Sequence, residues 1–337
     1  MTLKDVALLA GVSVSTVSRV INSGNEKSAT KEVRDRIWQA VQECGYQPNK
    51  LAQSLKKGGV SNFKPAEVYI LFARSEDRMQ DIFFAEMENY VKEELLKQGM
   101  QFCGSYSKNQ LSILASEMQG SGKGDAVIVL GRVSESAQYQ LKSLKKKVIC
   151  ITLNQGEMEF DHVVSDGERG AEIAMEYLVQ NGHKKIAYVG EYLDEVRYRG
   201  YKNFLLSKKM LAPKEYVINT SMTVAGGYKA IDFYSILPDK PTALFCANDV
   251  TAIGAIKGLA DIGLKVPEDI SVISIDNIKD AENFAVPLTT VQIPLKEMAC
   301  FAVKTLKDRL ENGHKVTLRI FMPSELVVRG SVKEVRG

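Results

Sequence analysis

Four side chains near the N-terminus have the types and spacing needed to read DNA bases. They lie on one short stretch and are Val14, Ser15, Ser18 and Arg19. An arginine can donate two hydrogen bonds to guanine, a serine can bond to several base edges, and a valine can touch a thymine methyl group. The alternative is that Arg19 is an ordinary surface arginine, but the capped turn before it and the basic region around it favour the base contact.

Three neighbouring polar residues are suited to phosphate oxygens instead, namely Ser13, Thr16 and Asn22. Contacts of this kind position a protein on the duplex without reading its sequence. Lys27 could serve in the same way.

The segment from Pro48 to Lys57 predicts one short helix, because it starts with proline and is followed by two glycines. Leu55 could wedge between base steps in a minor groove while Lys56 holds a phosphate. The alternative is that Leu51 and Leu55, spaced i to i+4, pack against the body or a second copy of the chain, and both can hold. Such a short helix is marginal in water, so we expect it to order only with a partner.

These side chains must be positioned by three short helices, predicted over residues 2–10, 13–22 and roughly 30–44. In the first, Val6, Leu9 and Ala10 share one face, and Gly11 ends it. Two helices joined by a three-residue turn that contains glycine, with a third as a brace, form a helix-turn-helix. We therefore predict an all-α helix-turn-helix domain over residues 1–47, followed by a hinge helix and linker over 48–63.

Residues 64–337 are predicted to form an α/β domain. Strand-like apolar runs alternate with amphipathic helices from Glu67 onward, which indicates parallel sheets with helices on both faces. The length favours two lobes with a cleft between them, and such sheets bind ligands beyond the C-terminal ends of their strands. The strand candidates are residues 68–73, 100–105, 126–130, 148–153, 186–190, 243–247 and 270–275.

Charge and composition restrict the partners. Residues 1–60 hold nine of the 44 Lys and Arg residues but only five of the 41 Asp and Glu residues, so the excess positive charge is at the N-terminus. A basic module on a near-neutral body indicates a polyanion partner for the module, with a solvated basic surface as the alternative.

The N-terminus lacks the apolar core of a signal peptide, and no run of apolar residues could span a bilayer. We expect a cytoplasmic protein with no membrane partner.

Catalytic, metal and cofactor sites are not expected. The five cysteines and three histidines are scattered without the short spacing of a metal or redox motif. A phosphate-loop lookalike at residues 120–124 lacks the earlier glycine and the following Ser or Thr, so a flexible turn is favoured. A sugar-binding transport protein would share the two-lobed body, but it would need an export signal.

Distinctive residue patterns occur near the N-terminus, in the stretches 3–7, 10–13, 16–22, 45–49 and 52–55. Further stretches are 182–187, 197–201, 247–249, Gly254, 266–273 and 287–291. In these stretches, and so over essentially the whole chain, the sequence resembles the lactose/galactose repressor family of bacterial transcription regulators, most specifically at the N-terminus. The resemblance implies a repressor that binds near-palindromic double-stranded operator DNA as a homodimer, with Leu55 opening a central base step. The longer members' tetramer-forming leucine-rich helix has no counterpart here, which favours a dimer.

The resemblance also implies an effector, in most cases a sugar or sugar derivative, between two lobes of periplasmic-binding-protein type. Matching positions suggest Arg197, Asn248 and Asp276 as ligand contacts, with further candidates Phe83, Phe84, Asn154 and Asp166. For each polar residue, capping a helix is the alternative, as is expected of Asp249. One of the two adjacent phenylalanines is expected to lie in the core. Effector identity, and whether the effector induces or corepresses, stay open.

Overall fold

The computed structural model describes residues 3–23, 29–44, 65–73, 82–120, 122–153, 159–211 and 213–335. The chain forms two compact units, Met1–Lys64 and Pro65–Gly337. The predicted hinge with Leu55 and Lys56, as well as Lys27 and Asn154, lie outside the described residues.

The N-terminal unit contains three helices, α1 (Leu3–Ala10), α2 (Val14–Ser23) and α3 (Lys31–Cys44). Gly11 has a φ of +64°, in the left-handed region that glycine adopts without strain, and it allows the chain to turn from α1 into α2. A small core holds them together, formed by Val6, Ala7, Ala10, Val17, Val20, Ile37 and Ala40.

One detail of the first helix was predicted wrongly. Leu9 is 57% exposed, and Ala7 takes its place in the core beside Val6 and Ala10. The face that α1 turns toward α3 is therefore rotated toward its smaller side chains.

The larger unit consists of two α/β lobes. The N-terminal lobe has a six-stranded sheet in the order β11-β5-β4-β3-β1-β2, and the C-terminal lobe has one in the order β12-β10-β9-β8-β6-β7. The strands of the first sheet are β1 (Glu67–Phe72), β2 (Gln101–Ser107), β3 (Ala126–Leu130), β4 (Lys147–Thr152), β5 (Asp161–Ser165) and β11 (Arg319–Met322). Those of the second are β6 (Ile186–Gly190), β7 (Val217–Asn219), β8 (Ala243–Cys246), β9 (Ser271–Asp276), β10 (Thr289–Gln292) and β12 (Glu325–Val327).

Nine helices of the described residues belong to the two lobes. They are α4 (Ile82–Lys97), α5 (Leu111–Gly120), α6 (Glu135–Ser143), α7 (Gly167–Gln180), α8 (Val196–Ser207), α9 (Val224–Ile236), α10 (Asp249–Asp261), the single turn α11 (Asp280–Asn283) and α12 (Leu295–Leu310). Helix α12 packs against α4 and against β4 and β5, so it returns the chain to the N-terminal lobe. Short 3-10 turns occupy Lys108–Gln110 and Lys214–Tyr216.

The predicted parallel α/β architecture is confirmed. All seven predicted strands are present within two residues of their expected ends, and every pairing is parallel except that of β10 with β12. Each sheet reverses its strand order once, between β1 and β3 in the first lobe and between β6 and β8 in the second. Loops diverge at such points and leave a crevice at the C-terminal ends of the strands, where open sheets bind ligands.

The residues after β12 are tied to the second sheet. Ser331 is fully buried; its hydroxyl donates to the carbonyl of Val272 at 2.6 Å, and its own carbonyl accepts from the Val272 amide at 2.8 Å. His183, also buried, reaches the carbonyl of Lys333 at 3.1 Å through Nε2. Burial lowers the pKa of His183, which keeps it neutral in this structural role.

Candidate ligand cleft and DNA-reading helix

The turn before α2 is built by Ser13. Its hydroxyl accepts a hydrogen bond from the Thr16 amide at 3.1 Å, and it lies 2.8 Å from Thr16 Oγ1 and 2.7 Å from Ser15 Oγ. A serine in this position satisfies an amide that the first helical turn leaves without an intrahelical partner. Ser13 therefore fixes where α2 begins.

The side chains predicted to read bases lie away from the core of the N-terminal unit. Val17 and Val20 are buried, whereas Val14, Ser15 and Arg19 are exposed. Ser18 and Thr16 are half-buried, and Asn22 lies within the last turn of α2. The second helix of a helix-turn-helix presents its first residues to base edges in the major groove. The exposed face of α2 has the composition for that role, and its DNA contacts stay a prediction.

The cleft lies between the two lobes, at the C-terminal ends of both sheets. The N-terminal lobe contributes residues after β1 and β4, and the C-terminal lobe contributes residues after β6, β7, β8 and β9. The lining residues are Ile82, Phe83, Phe84, Leu153, Glu191, Arg197, Ser221, Met222, Thr223, Asn248, Val250, Asp276 and Ile278. Five predicted effector residues, Phe83, Phe84, Arg197, Asn248 and Asp276, thus come together in one place.

Arg197, in the first turn of α8, is held by two acidic residues. Its Nε lies 2.7 Å from Glu195 Oε1 and its Nη2 lies 3.2 Å from Glu195 Oε2, which is a two-point ion pair. Nη2 also approaches Met222 Sδ at 3.2 Å, and Nη1 lies 3.8 Å from Asp276 Oδ1. Only 3% of the Arg197 side chain is exposed. Burial disfavours the charge, but the two carboxylates outweigh it and raise the pKa of Arg197, so the guanidinium is always charged.

Asn248 both lines the cleft and caps α10. Its Oδ1 accepts hydrogen bonds from the Thr251 amide at 3.1 Å and from the Thr251 hydroxyl at 2.5 Å. The expectation that Asp249 would cap this helix is wrong, because Asp249 is the first residue of α10 and its side chain points into the lobe. The capping oxygen of Asn248 is engaged, and its amide group is the part available to a ligand.

Asp249 is the centre of a buried network behind the cleft. Its Oδ1 accepts from Ser274 Oγ and Thr290 Oγ1, both at 2.6 Å, and its Oδ2 accepts from the Ile278 amide at 2.8 Å. Burial raises the pKa of Asp249 to about 6, although these hydrogen bonds oppose the rise. The network joins α10 to β9, β10 and the loop after β9, which places Asp276 and Ile278 in the wall of the cleft.

The end of β9 has unusual backbone geometry. Asp276 has a φ of +128° and Asn277 a φ of +54°, and side chains other than glycine rarely adopt such values. Arg329 stabilises the turn, since its Nη2 donates to Asn277 Oδ1 at 2.8 Å while its Nη1 donates to the carbonyl of Leu288 at 2.8 Å. Residues with strained backbone geometry that is held by their surroundings cluster at functional sites. Here the strained turn at Asp276 and Asn277 directs the Asp276 side chain at the cleft.

Phe83 and Phe84 form the aromatic part of the wall. Their ring centroids lie 5.1 Å apart with an interplanar angle of 82°, an edge-to-face pair. The expectation that one of the two would lie in the core is confirmed, and it holds for both: Phe83 and Phe84 are buried in the core of the lobes, and both also border the cleft.

Asp166 caps α7 and is not among the lining residues. Its Oδ1 accepts from the Glu168 amide at 3.0 Å and from the Arg169 amide at 3.3 Å.

Four polar or sulfur-containing residues of the wall were not predicted: Glu191, Ser221, Met222 and Thr223. Thr223 was the one with a local signal, since a threonine directly before the apolar helix α9 is a typical cap, as its bond from the Gly226 amide shows.

Two polar contacts join the lobes near the cleft. Arg132, after β3, donates through Nη1 to the carbonyl of Asp194, after β6, at 2.9 Å. Lys279, after β9, lies 3.4 Å from Glu86 of α4. Both contacts depend on how closely the lobes approach each other.

Within the described residues, no group of three or more His, Cys, Asp or Glu side chains could hold a metal ion. None of the helices described is long and apolar enough to cross a membrane.

Comparison with known families and proteins identifies likenesses over the whole chain. Residues 2–49 match the family described as bacterial regulatory proteins, lacI family, and residues 175–332 match a periplasmic binding protein-like domain. The HTH-type transcriptional repressor PurR of Aliivibrio salmonicida (strain LFI1238) is 31% identical, with 99% of this chain and 99% of that repressor covered.

Solved structures of transcription regulators also resemble this chain. A complex of the transcriptional regulator CelR with cellobiose has a TM-score of 0.72 and 26% identity, and it covers 98% of this chain and 99% of its own. A LacI family transcriptional regulator from Enterococcus faecium with bound ribose has a TM-score of 0.70 and 26% identity, covering 80% of this chain and 100% of its own.

Proposed function

Because the chain belongs to the LacI family of bacterial regulatory proteins, we propose that it is a transcription repressor whose operator affinity is controlled by a small molecule bound in the cleft. The observation that carries this proposal is the combination of two features in one chain. One is the exposed face of α2, and the other is a cleft that collects Arg197 from the start of α8, Asn248 from the cap of α10 and Asp276 from the end of β9. No catalytic activity is part of the proposal.

On the DNA side, Val14, Ser15, Ser18 and Arg19 read bases in the major groove, whereas Ser13, Thr16 and Asn22 hold phosphates. The orientation of α2 supports a DNA-facing role for Val14, Ser15 and Arg19, because these side chains are exposed while Val17 and Val20 take the buried side. The division of the first unit into a DNA-binding domain over 1–47 and a hinge over 48–63 belongs to the same proposal. In it, Leu55 opens a base step and Lys56 binds a phosphate.

The protein acts as a homodimer on a near-palindromic operator. Paired half-sites one helical turn apart require two copies of a helix-turn-helix related by a two-fold axis. Binding to chromosomal DNA places the protein in the cytoplasm.

On the effector side, a sugar or another ring compound with hydroxyl groups fits the cleft. Aromatic rings of Phe83 and Phe84 offer an apolar surface, and Asp276, Asn248 and Arg197 offer hydrogen-bonding groups of both kinds. Cellobiose and ribose are held by two structural relatives of this chain. A purine, which is a ring compound with N–H and carbonyl groups, is the second candidate class.

The two sites are coupled through lobe closure. An effector that contacts both lobes favours the closed arrangement, and closure changes the separation of the two DNA-binding units in the dimer. Whether the effector weakens or strengthens operator binding depends on which lobe arrangement, open or closed, binds the operator. Induction and corepression are therefore both compatible with the same cleft and the same DNA-binding unit.

A gel-retardation assay with the purified full chain and the DNA upstream of its own operon tests the proposal. We expect sequence-specific retardation that survives an excess of unrelated duplex, and a change in that retardation when a cleft ligand is added. A chain that retarded no such DNA under any effector would overturn the proposal.

A further inference from the structure

We propose that the cleft selects an uncharged ligand rich in hydroxyl or N–H donors and rejects anionic ones, such as sugar phosphates and nucleotides, with Glu195 as the residue that sets this preference. This inference rests on the proposed function only in taking the cleft to be the effector site.

Arg197 is the one cation among the described residues that line the cleft. A guanidinium normally recognises phosphate or carboxylate through two parallel hydrogen bonds. In this chain Glu195 already occupies that position, with contacts of 2.7 Å to Nε and 3.2 Å to Nη2. Nη1 faces Asp276 at 3.8 Å, which is beyond hydrogen-bonding distance. It is therefore free to donate to one neutral oxygen of a ligand, such as a hydroxyl or a carbonyl.

Helix N-termini are the other usual anion sites of such folds. Three helices of the C-terminal lobe start at the cleft, and each has a first-turn amide bound by the chain's own oxygen. Glu195 accepts from the Arg197 amide at 3.1 Å, Thr223 from the Gly226 amide at 3.0 Å, and Asn248 from the Thr251 amide at 3.1 Å. An anion at these helix ends would therefore compete with an oxygen of the chain itself.

The described part of the wall carries more negative than positive charge. Glu191 and Asp276 line the cleft, and Glu195 is bound to Arg197, so among the residues that the structure describes there, three carboxylates face one cation. A bound phosphate would be repelled by them at short range in a partly desolvated site. The same carboxylate oxygens are good acceptors for hydroxyl and N–H groups, which a neutral polyhydroxy ring supplies.

Glu195 is the residue responsible for this preference for uncharged ligands. It is 10% exposed on its side chain and does not border the cleft itself, so its effect on a ligand passes through Arg197. Glu195→Gln keeps a side-chain oxygen that can accept from the Arg197 amide, but it removes the negative charge that neutralises the Arg197 guanidinium. The guanidinium can then attract an anion. Glu195 is thus a positioning residue for selectivity.

Calorimetric titration of the full chain with inorganic phosphate, at constant ionic strength balanced by chloride, tests this directly. We expect no saturable phosphate binding by the unaltered protein and saturable binding by Glu195→Gln, at least about tenfold tighter than the weakest affinity that the titration can detect, given the strength of one desolvated charge pair. The matched control is Glu168→Gln, which removes the same charge from an ion pair with Arg199 that does not line the cleft. It should bind no phosphate.

A second arm uses matched pairs on the unaltered protein: ribose and ribose 5-phosphate, glucose and glucose 6-phosphate, adenosine and adenosine monophosphate. The neutral member of a pair should bind at least as well as its phosphate. Saturable binding of phosphate by the unaltered protein, or tighter binding of a phosphorylated member that Arg197→Lys weakens, overturns the inference. If Glu195→Gln does not fold, the unaltered protein alone decides. None of these readouts uses DNA, so failure of operator binding would be a separate result.

Discussion

Arg132 and Asp194 connect the two lobes by a hydrogen bond of 2.9 Å from guanidinium Nη1 to the backbone carbonyl. Nη2 of the same arginine lies 3.8 Å from the Asp194 carboxylate. Asp194 is the residue directly before Glu195, and its φ of +53° turns the chain into α8. The contact therefore ties the N-terminal lobe to the loop that positions Arg197.

Arg132→Ala should weaken ligand binding without unfolding the protein. Both partners are largely exposed, so the contact is worth less than about 1 kcal/mol, which corresponds to at most a fivefold loss in affinity. Calorimetry with a cleft ligand measures it. Arg199→Ala is the control, because Arg199 pairs with Glu168 inside one lobe. Equal effects of the two substitutions would show that the contact between lobes has no special role.

Arg19→Ala should relax base preference. Loss of a bidentate contact to guanine costs about 1–3 kcal/mol of discrimination, whereas binding to unrelated duplex should change little. Fluorescence anisotropy with operator and scrambled duplexes measures the ratio of affinities. Arg36→Ala, an exposed arginine on α3, should lower both affinities together. If Arg19→Ala also lowered both equally, Arg19 would be a phosphate contact.

Asp249 should make stability depend on pH. Its pKa of about 6 in the folded protein exceeds its value of 3.8 in the unfolded chain, so the folded state binds more protons between these values. The stabilising contribution is complete below pH 4 and is lost as pH rises through 6, by up to about 3 kcal/mol. Asp249→Asn should flatten this part of the profile in denaturant titrations. An unchanged profile would contradict the raised pKa.

Gly254→Ala should disturb one wall of the cleft. A Cβ there would lie 2.0 Å from the Val224 carbonyl, at the start of α9, next to the lining residues 221–223. We expect a loss of about 1–3 kcal/mol in stability from overpacking, with weaker ligand binding. Gly120→Ala is the control, since a Cβ at Gly120 has no atom within 4 Å and the residue lies in a helix. Thermal unfolding and calorimetry compare the two.

The local pattern of apolar residues was sufficient to predict strands that are apolar throughout, such as Ala126–Leu130 and Ile186–Gly190. The same pattern did not predict the strands β5, β7, β10, β11 and β12. In β5 the first residue, Asp161, accepts hydrogen bonds from Arg309 and from the Leu318 amide, partners about 150 residues away. In β10 the hydroxyl of Thr290 binds Asp249. Polar residues are buried in these strands because distant partners satisfy them, and no local pattern shows that.

The residues of the candidate site were likewise predicted only in part from the sequence. Arg197, Asn248 and Asp276 were predicted from matching positions, and all three line the cleft. Glu195, which determines the state of Arg197, was missed, although an acidic residue just before a helix is a recognisable cap. Glu191 and Met222 carry no local signal, because only the folding of the loops after β6 and β7 brings them to the wall.

We expect the cleft and the DNA-binding unit to be thermodynamically coupled. The most direct test measures the ligand's affinity with and without operator duplex, and the operator's affinity with and without saturating ligand. Coupling requires both ratios to be the same factor, which we expect to lie in the range of about 5–150. Asn248→Ala should abolish ligand binding and leave unliganded operator affinity unchanged. A ligand that binds the cleft and leaves operator affinity unaltered would contradict the account.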